Sequence, residues 1–467
     1  MKRGRRTEGA DLKWVDAFID RIRPYVTVRE QDAVLIKMPN QAFRLNRTGV
    51  QVMSFLLGGG GVDDLLRQAG ADKAGEVALF LDAVKRGLEG SLLETDPSPA
   101  VDVKPLELNF SSLPVLAEIA LTDRCNLRCV FCYAGCPSIP AASGKGRELS
   151  QTEVRRLIDR VRGEAQVPSL SFTGGEPTLR HDLPDLVAYA ARIKGMRVNL
   201  ITNGTLVTPG LAGALRRAGL ASAQVSIEGA TAATHDAATG VAGSHERSIA
   251  GLENLAAAGV RVHANTTINR LNLHECVSMP GLAVALGLDR FSMNLVIPAG
   301  AAAANHSQLV RYEELGPVLE GVMAASRRHG VEFMWYSPTP LCLFNPIARG
   351  LGNKGCSACD GLLSVDSSGG VRPCSSWDET VGSLLTGGFE EVWGSARARA
   401  YRAKSLAHPG CRECDSFSAC NGACPLYWGH FGFSELERHG VAAARRKAGG
   451  PGHQEAVPAG REQVRSR

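Results

Sequence analysis

LTDRCNLRCVFCYAGCP, residues 121 to 137, places Cys125, Cys129, Cys132 and Cys136 in one short stretch that follows directly on the apolar run PVLAEIALT. Such a stretch has no room for a regular helix or strand of its own. Three chemistries call for thiols at this density: a disulfide cluster, a zinc knuckle and an iron–sulfur site. Each implies a different protein, and the rest of the chain has to decide between them.

No part of the 467 residues approaches the roughly 20 apolar residues of a membrane-spanning helix, and the basic start runs into TEGADLKW rather than an apolar signal core. The expectation is a cytoplasmic protein with no membrane partner. Thirteen cysteines in a reducing compartment are not a disulfide framework, so clustered cysteines read as metal ligands. The net charge of +5 arises from 52 basic and 47 acidic residues, with much of the excess in MKRGRR and in the C-terminal AAARRKAGGPG and REQVRSR. Solvated tails account for it, and no nucleic-acid partner is expected.

From about residue 114, strand-like runs alternate with helical ones. The strands are PVLAEIALT, SLSFTGGEP, RVNLITNG, ASAQVSIEG, VRVHANTTIN and DRFSMNLVIP. SQTEVRRLIDRVRGEA supplies the first intervening helix and opens on Ser150 and Glu153, the spacing of a capping box. Six β/α units in series predict an α/β fold, a partial (β/α)6 TIM-type barrel over residues 113–335. Chemistry belongs at the carboxyl ends of its strands, where the cysteine stretch lies.

Two further regions flank the barrel. Residues 20–95 combine a hairpin pattern, DAVLIKMPNQAFRLN, with helical spacing in TGVQVMSFLL, VDDLLRQAG and AGEVALFLDAVKRGLEG, which predicts a small α+β, winged-helix-like module joined by a linker at 96–112. After a strand-like VEFMWYS, residues 336–430 lose regular periodicity and hold Cys342, Cys356, Cys359, Cys374, Cys411, Cys414, Cys420 and Cys424. Bound metal is expected to hold that cysteine-rich domain in shape. Residues 445–467 read as a disordered basic tail.

Cys125, Cys129 and Cys132 form CxxxCxxC. A structural zinc site closes with four protein ligands, whereas three thiolates in one loop can hold three corners of a cubane and leave one iron open. Cys136 falls outside that spacing, and Cys276, on a helical stretch, reads as a small core residue. With Phe131 before its last cysteine and Tyr133 after it, the triad resembles the signature of radical S-adenosylmethionine (AdoMet) enzymes. GGEP at 174–177, TNG at 202–204, QVSIEG at 224–229 and NLVIP at 294–298 agree with that family in order, over about residues 114 to 300.

The resemblance implies a 4Fe-4S cluster on the triad whose open iron chelates the methionine end of AdoMet. It implies that Gly174, Gly175 and Glu176 hold the methionyl ammonium, that Ser226 and Glu228 meet ribose hydroxyls, and that the NLVIP backbone lies near adenine. One electron, from a reductant such as flavodoxin or ferredoxin, would cleave the cofactor to a 5′-deoxyadenosyl radical that abstracts hydrogen from substrate. No further catalytic side chain is assigned.

Cys359, nine residues, Gly369, four residues and Cys374, followed by CxxCxxxxxCxxxC at Cys411, Cys414, Cys420 and Cys424, resemble the SPASM domain. Zinc ribbons share a CxxC on spacing alone. The resemblance implies one or two auxiliary 4Fe-4S clusters: Cys359, Cys374 and Cys424 on the first, completed by Cys356 or Cys342, and Cys411, Cys414 and Cys420 on the second. No cysteine follows Cys424, so the usual last ligand is missing. His430, Glu435, Glu437 and His439 lie where an oxygen or nitrogen ligand could replace it.

The N-terminal VLIKMPNQAFRLNRTGVQVMSFLLGGGGVDDLLRQAG resembles a PqqD-like peptide-recognition element, which implies that a precursor peptide's leader is added as a strand to its sheet edge. From the residues alone, a winged-helix-like docking or dimerisation domain is the competing reading. The expected function is thus a radical enzyme that modifies a ribosomally synthesised peptide. Two alternatives are a small-molecule radical enzyme, for instance one acting on tetrapyrrole side chains in haem-type synthesis, and a non-catalytic peptide-binding or electron-carrying partner.

Overall fold

The computed structural model describes residues 12–39, 41–70, 73–89, 112–135 and 148–439. Cys136, the tail at 445–467 and all of the linker except Ser112 lie outside the described residues.

In the N-terminal module, strands β1 (Val26–Arg29), β2 (Val34–Lys37) and β3 (Gln41–Arg44) form an antiparallel sheet in that order. The β2–β3 hairpin is the one its sequence predicted. Asn46 caps the next helix, Arg47–Leu57, by accepting from the Gly49 N–H at 2.7 Å. Helices Val62–Ala69 and Ala74–Glu89 complete the module. One sheet face contributes Val26 and Leu35 to a core shared with Phe18, Met53, Phe80 and Leu81. The other face gives Val34, Ile36 and Ala42, which pack on Val115 at the entrance to the barrel. Beside that contact Arg29 is buried, paired with both carboxylate oxygens of Asp32 (2.8 and 2.9 Å), and donates to the carbonyls of Leu113 (2.9 Å) and Pro114 (2.7 Å). The guanidinium fork thus fastens the module to the chain leading into the barrel.

The six expected strands are all present and parallel: β4 (Leu116–Ala120), β5 (Ser169–Thr173), β6 (Arg197–Thr202), β7 (Ser222–Ser226), β8 (Arg261–Ile268) and β9 (Arg290–Leu295). Every residue of β5 is buried, as befits a parallel strand covered on both faces. The capping box forms as read: Ser150 N–H donates to Glu153 Oε2 at 2.9 Å while the Ser150 hydroxyl accepts from the Glu153 N–H. The helix so started, Gln151–Gly163, buries Val154, Leu157, Ile158 and Val161 on one stripe.

The sheet extends beyond six strands. β10 (Glu332–Trp335) adds in parallel to β9, and β11 (Leu362–Val365), from the cysteine-rich region, adds in parallel to β4. β12 (Gly370–Arg372) and β13 (Gly382–Ser383) follow antiparallel, so the sheet runs β10-β9-β8-β7-β6-β5-β4-β11-β12-β13. Beside the expected metal, apolar packing also holds residues 336–430. Val371, Leu384, Phe389 and Trp393 join the barrel's own hydrophobic core. Strands of two to four residues are too short to show a period, which is why the sequence pattern faded there.

Candidate active site and cluster centres

The cysteine loop hangs from the carboxyl end of β4 and is pinned by backbone hydrogen bonds on several sides. Arg128 and Val130 donate to the carbonyls of Thr239 (2.8 Å) and Ala238 (3.0 Å), and the Cys132 carbonyl accepts from Ala301 at 2.8 Å. From the end of β5, Gly175 donates to Thr122 and Glu176 to Arg124, both at 2.7 Å. The thiols of Cys125, Cys129 and Cys132 face one another closely enough for their charges to interact. Burial, joined by the charges of Glu176 and Cys132, pushes the Cys125 thiol up to about 11, so metal-free thiols keep their protons and cluster insertion releases them. The Leu127 N–H points at Cys125 Sγ at 3.4 Å, a donor that favours bound thiolate.

GGEP meets this loop backbone to backbone. Gly174 has φ of +139°, and a Cβ there would lie 2.5 Å from the Thr122 carbonyl oxygen; at Gly175 it would lie 2.2 Å from that of Arg124. Gly175→Ala is expected to push the cysteine loop away from β5, weakening AdoMet binding at least about tenfold and costing about 1–3 kcal/mol of stability. Equilibrium dialysis with the cofactor and a denaturant titration measure the two effects.

Glu176 has 0% exposure, and its carboxylate accepts from the Thr178 N–H (3.0 Å) and hydroxyl (2.5 Å), the Thr202 hydroxyl (2.7 Å) and the Asn203 N–H (2.8 Å). Three of these four bonds fall on Oε1, which leaves Oε2 the less committed oxygen. The side chain ties GGEP to TNG. Asn203 continues the link, donating to Asn126 Oδ1 (2.9 Å) and approaching Cys125 Sγ at 3.9 Å. Asn126, Asn203 and Thr205 form a polar chain whose only sequence signal was TNG.

Ser226, at the end of β7, is half-buried opposite Asn265. Glu228 is 4% exposed and accepts from the Thr267 N–H at 2.8 Å, and burial pushes its carboxyl up to about 8. Asn294, in NLVIP, accepts from Asn265 at 2.8 Å and donates to Thr267 at 3.3 Å, so this side of the barrel interior is polar.

A small cleft, open to solvent, joins the cysteine loop to the C-terminal region. Its wall includes Glu118, Asp123, Tyr133, Gly174, Asp366 and Arg372. Glu118 was missed from sequence, although a carboxylate inside the apolar run PVLAEIALT is a signal. It accepts from Ser364 on β11 at 2.7 Å.

The eight remaining described cysteines outside the core position of Cys276 separate into two groups of four. Cys356 lies beside Cys359, Cys374 and Cys424, and Cys342 lies beside Cys411, Cys414 and Cys420. Cys276 is buried, as expected. No disulfide joins any described cysteine. Among the described residues no three His, Cys, Asp or Glu side chains converge on a single-ion site, whereas the thiolates of a cubane stand on separate irons and lie further apart. Lys404 is buried beside the first group, donating to the Cys356 carbonyl at 2.8 Å and pairing with Asp360 at 3.1 Å. That pair is neutral overall, so the fit rests on the two groups of four thiols. The donor sets therefore fit iron–sulfur clusters.

The Radical SAM superfamily profile matches residues 119–278, and SPASM, described as an iron-sulfur cluster-binding domain, matches residues 356–415. The chain is 30% identical over 321 residues to the AdoMet-dependent heme synthase of Nitratidesulfovibrio vulgaris, covering 65% of this chain and 85% of the relative. It is also 30% identical over 325 residues to mycofactocin maturase MftC of Mycobacterium ulcerans, covering 67% and 83%. Streptococcus suis SuiB bound to precursor peptide SuiA shares the fold, with a TM-score of 0.63 at 16% identity over 86% of this chain and 95% of that one. No described helix is long and apolar enough to cross a membrane. The chain belongs to the radical SAM enzymes that carry a SPASM domain, and its cofactors are 4Fe-4S clusters and AdoMet.

Proposed function

We propose that this enzyme modifies a ribosomally synthesised precursor peptide whose leader is held by the N-terminal module. The observation that carries the reading is the state of the module's sheet. Both of its faces are packed, one on the module core and one on Val115, while no strand pairs with the outer side of β3 among the described residues. A sheet edge recognises backbone, and an extended peptide is the ligand with backbone to offer. In this division residues 20–95 capture the leader, 113–335 carry the AdoMet site and 336–430 the auxiliary clusters.

Cys125, Cys129 and Cys132 would hold the cluster and leave one iron open for AdoMet, and the pair would supply one-electron chemistry able to take hydrogen from an unactivated carbon. The chain's own residues do the positioning. Gly174, Gly175 and Glu176 hold the methionyl end, Ser226 and Glu228 the ribose, and the Asp123–Tyr133 side of the cleft receives the substrate segment beside Gly174. A flavodoxin or ferredoxin fits the role of electron donor.

A second reading follows from the heme synthase relatives: a small tetrapyrrole substrate. The relatives named as heme synthases and as maturases support the two readings about equally, and the charge of one described cleft wall is what favours the peptide. Glu118, Asp123 and Asp366 face a single cation, Arg372, which is already paired with Asp366 at 3.0 Å. A polycarboxylate tetrapyrrole calls for the opposite balance. The test is anaerobic turnover with dithionite and AdoMet on two probes, a leader-bearing candidate peptide taken from any short reading frame found beside the gene, and Fe-coproporphyrin III. A mass loss of hydrogen atoms in the peptide, leader present, is the expected result. Turnover of the porphyrin alone would overturn the peptide reading.

A further inference from the structure

After β10 the chain turns sharply at 341–343, with Leu343 and Phe344 both donating to the Pro340 carbonyl (3.0 and 3.1 Å), and Thr339 is tied to the Lys354 carbonyl at 3.1 Å. This turn meets the C-terminal cysteines directly: the Leu341 N–H points at Cys420 Sγ at 3.5 Å. The adjacent Cys342 thiol lies close enough to Cys420, Cys411 and Cys414 for their charges to interact. Cys424 is turned the other way, towards Cys356 and Cys374.

Of the oxygen and nitrogen groups that sequence offered for the vacant ligand position, His430 and Glu435 are engaged elsewhere, while Glu437 and His439 are exposed and make only long contacts. His430 stacks on His306, with ring nitrogens 3.0 Å apart. Glu435 is buried against Arg311 (2.9 Å) and the Tyr427 hydroxyl (2.7 Å). Glu437 lies 4.0 Å from His408, and His439 lies 3.6 Å from Glu313.

We propose that Cys342 is the fourth ligand of the second auxiliary cluster, which closes through a cysteine preceding the SPASM motif instead of one following it. The proposal rests on the reading of Cys411, Cys414 and Cys420 as cluster ligands. Its consequence is functional. A cubane with four thiolates has no iron left for substrate, so this centre exchanges electrons only. Cys342 and Cys414 are both exposed, which puts the cluster within reach of an external one-electron donor.

The test uses the full-length chain with Cys125, Cys129 and Cys132 replaced by alanine, so that only the C-terminal centres contribute signal. After anaerobic reconstitution this parent is expected to hold about eight irons. A parent with only about four, and no second EPR species on reduction, would overturn the two-cluster reading itself. In that background Cys342→Ala is expected to lose about four irons, or to leave a three-iron species visible by EPR, matching Cys414→Ala. Cys342→Ser should keep about eight irons with altered EPR of one cluster and a shifted midpoint potential, which separates ligation from a folding role. Full iron content, EPR and potential identical to the parent in both Cys342 variants would overturn the proposal.

Discussion

Replacing Cys125, Cys129 and Cys132 together by alanine is expected to abolish AdoMet cleavage, a loss of at least about 10⁶-fold, the lower end of enzymatic rate enhancement. The measurement is anaerobic 5′-deoxyadenosine formation with dithionite, and the iron content should fall by about four per chain. The loss should be chemical and not structural, because the loop is held by its backbone. Thr122 and Arg124 carbonyls accept from GGEP, Arg128 and Val130 donate to 238–239, and Cys132 accepts from Ala301 through its carbonyl, not its thiol. None of those bonds involves the sulfur atoms removed. The C-terminal cysteines lie on other segments, so their iron should remain. Cleavage at the parent rate in the triple variant would overturn the assignment of the triad.

The parts of the fold legible in sequence are those where one physical rule acts alone. Strands of five or six residues and more in a parallel sheet carry a short apolar run wherever they are buried, and β4 to β9 were found for that reason. Ser150 and Glu153 announced a helix because a capping box is local. Where several weak signals compete, the reading failed. β11 is four residues long and owes its place to pairing with β4, a partner 246 residues away as measured by Ser364 and Glu118. Only the turn at Asp366, whose carboxylate accepts from the Ser368 and Gly370 N–H groups, had a recognisable local cause.

The site divides the same way. The three-cysteine loop and GGEP are contiguous, so spacing reveals them. Which cysteine joins which auxiliary group depends on where two distant segments meet, and spacing left Cys342 and Cys356 equivalent. The turn at 341–343 separates them by carrying Cys342 to Cys420. Glu118 and Arg372 likewise reach one cleft only because β11 pairs with β4 and β12 with β11.

Starting the chain at residue 112 is expected to lower processing of the peptide by about 10²–10⁴-fold while leaving uncoupled AdoMet cleavage within about threefold of the full-length rate. The first figure is the effective-concentration advantage of holding a substrate by a second, remote site. The second follows from how little the barrel loses. The cut removes Arg29, whose partners at Leu113 and Pro114 are carbonyls that water can satisfy, and it uncovers Val115, a cost of about 1.5–3 kcal/mol at most. Ser112 remains to accept from Trp393 Nε1 at 3.1 Å, so the C-terminal region keeps its contact with the strand entrance. A module that only stabilised the barrel would predict the reverse pattern, with cleavage and processing falling together. Unchanged peptide turnover would remove the leader-binding role outright. A small-molecule enzyme would lose neither activity, because its substrate has no leader for the β3 edge to hold.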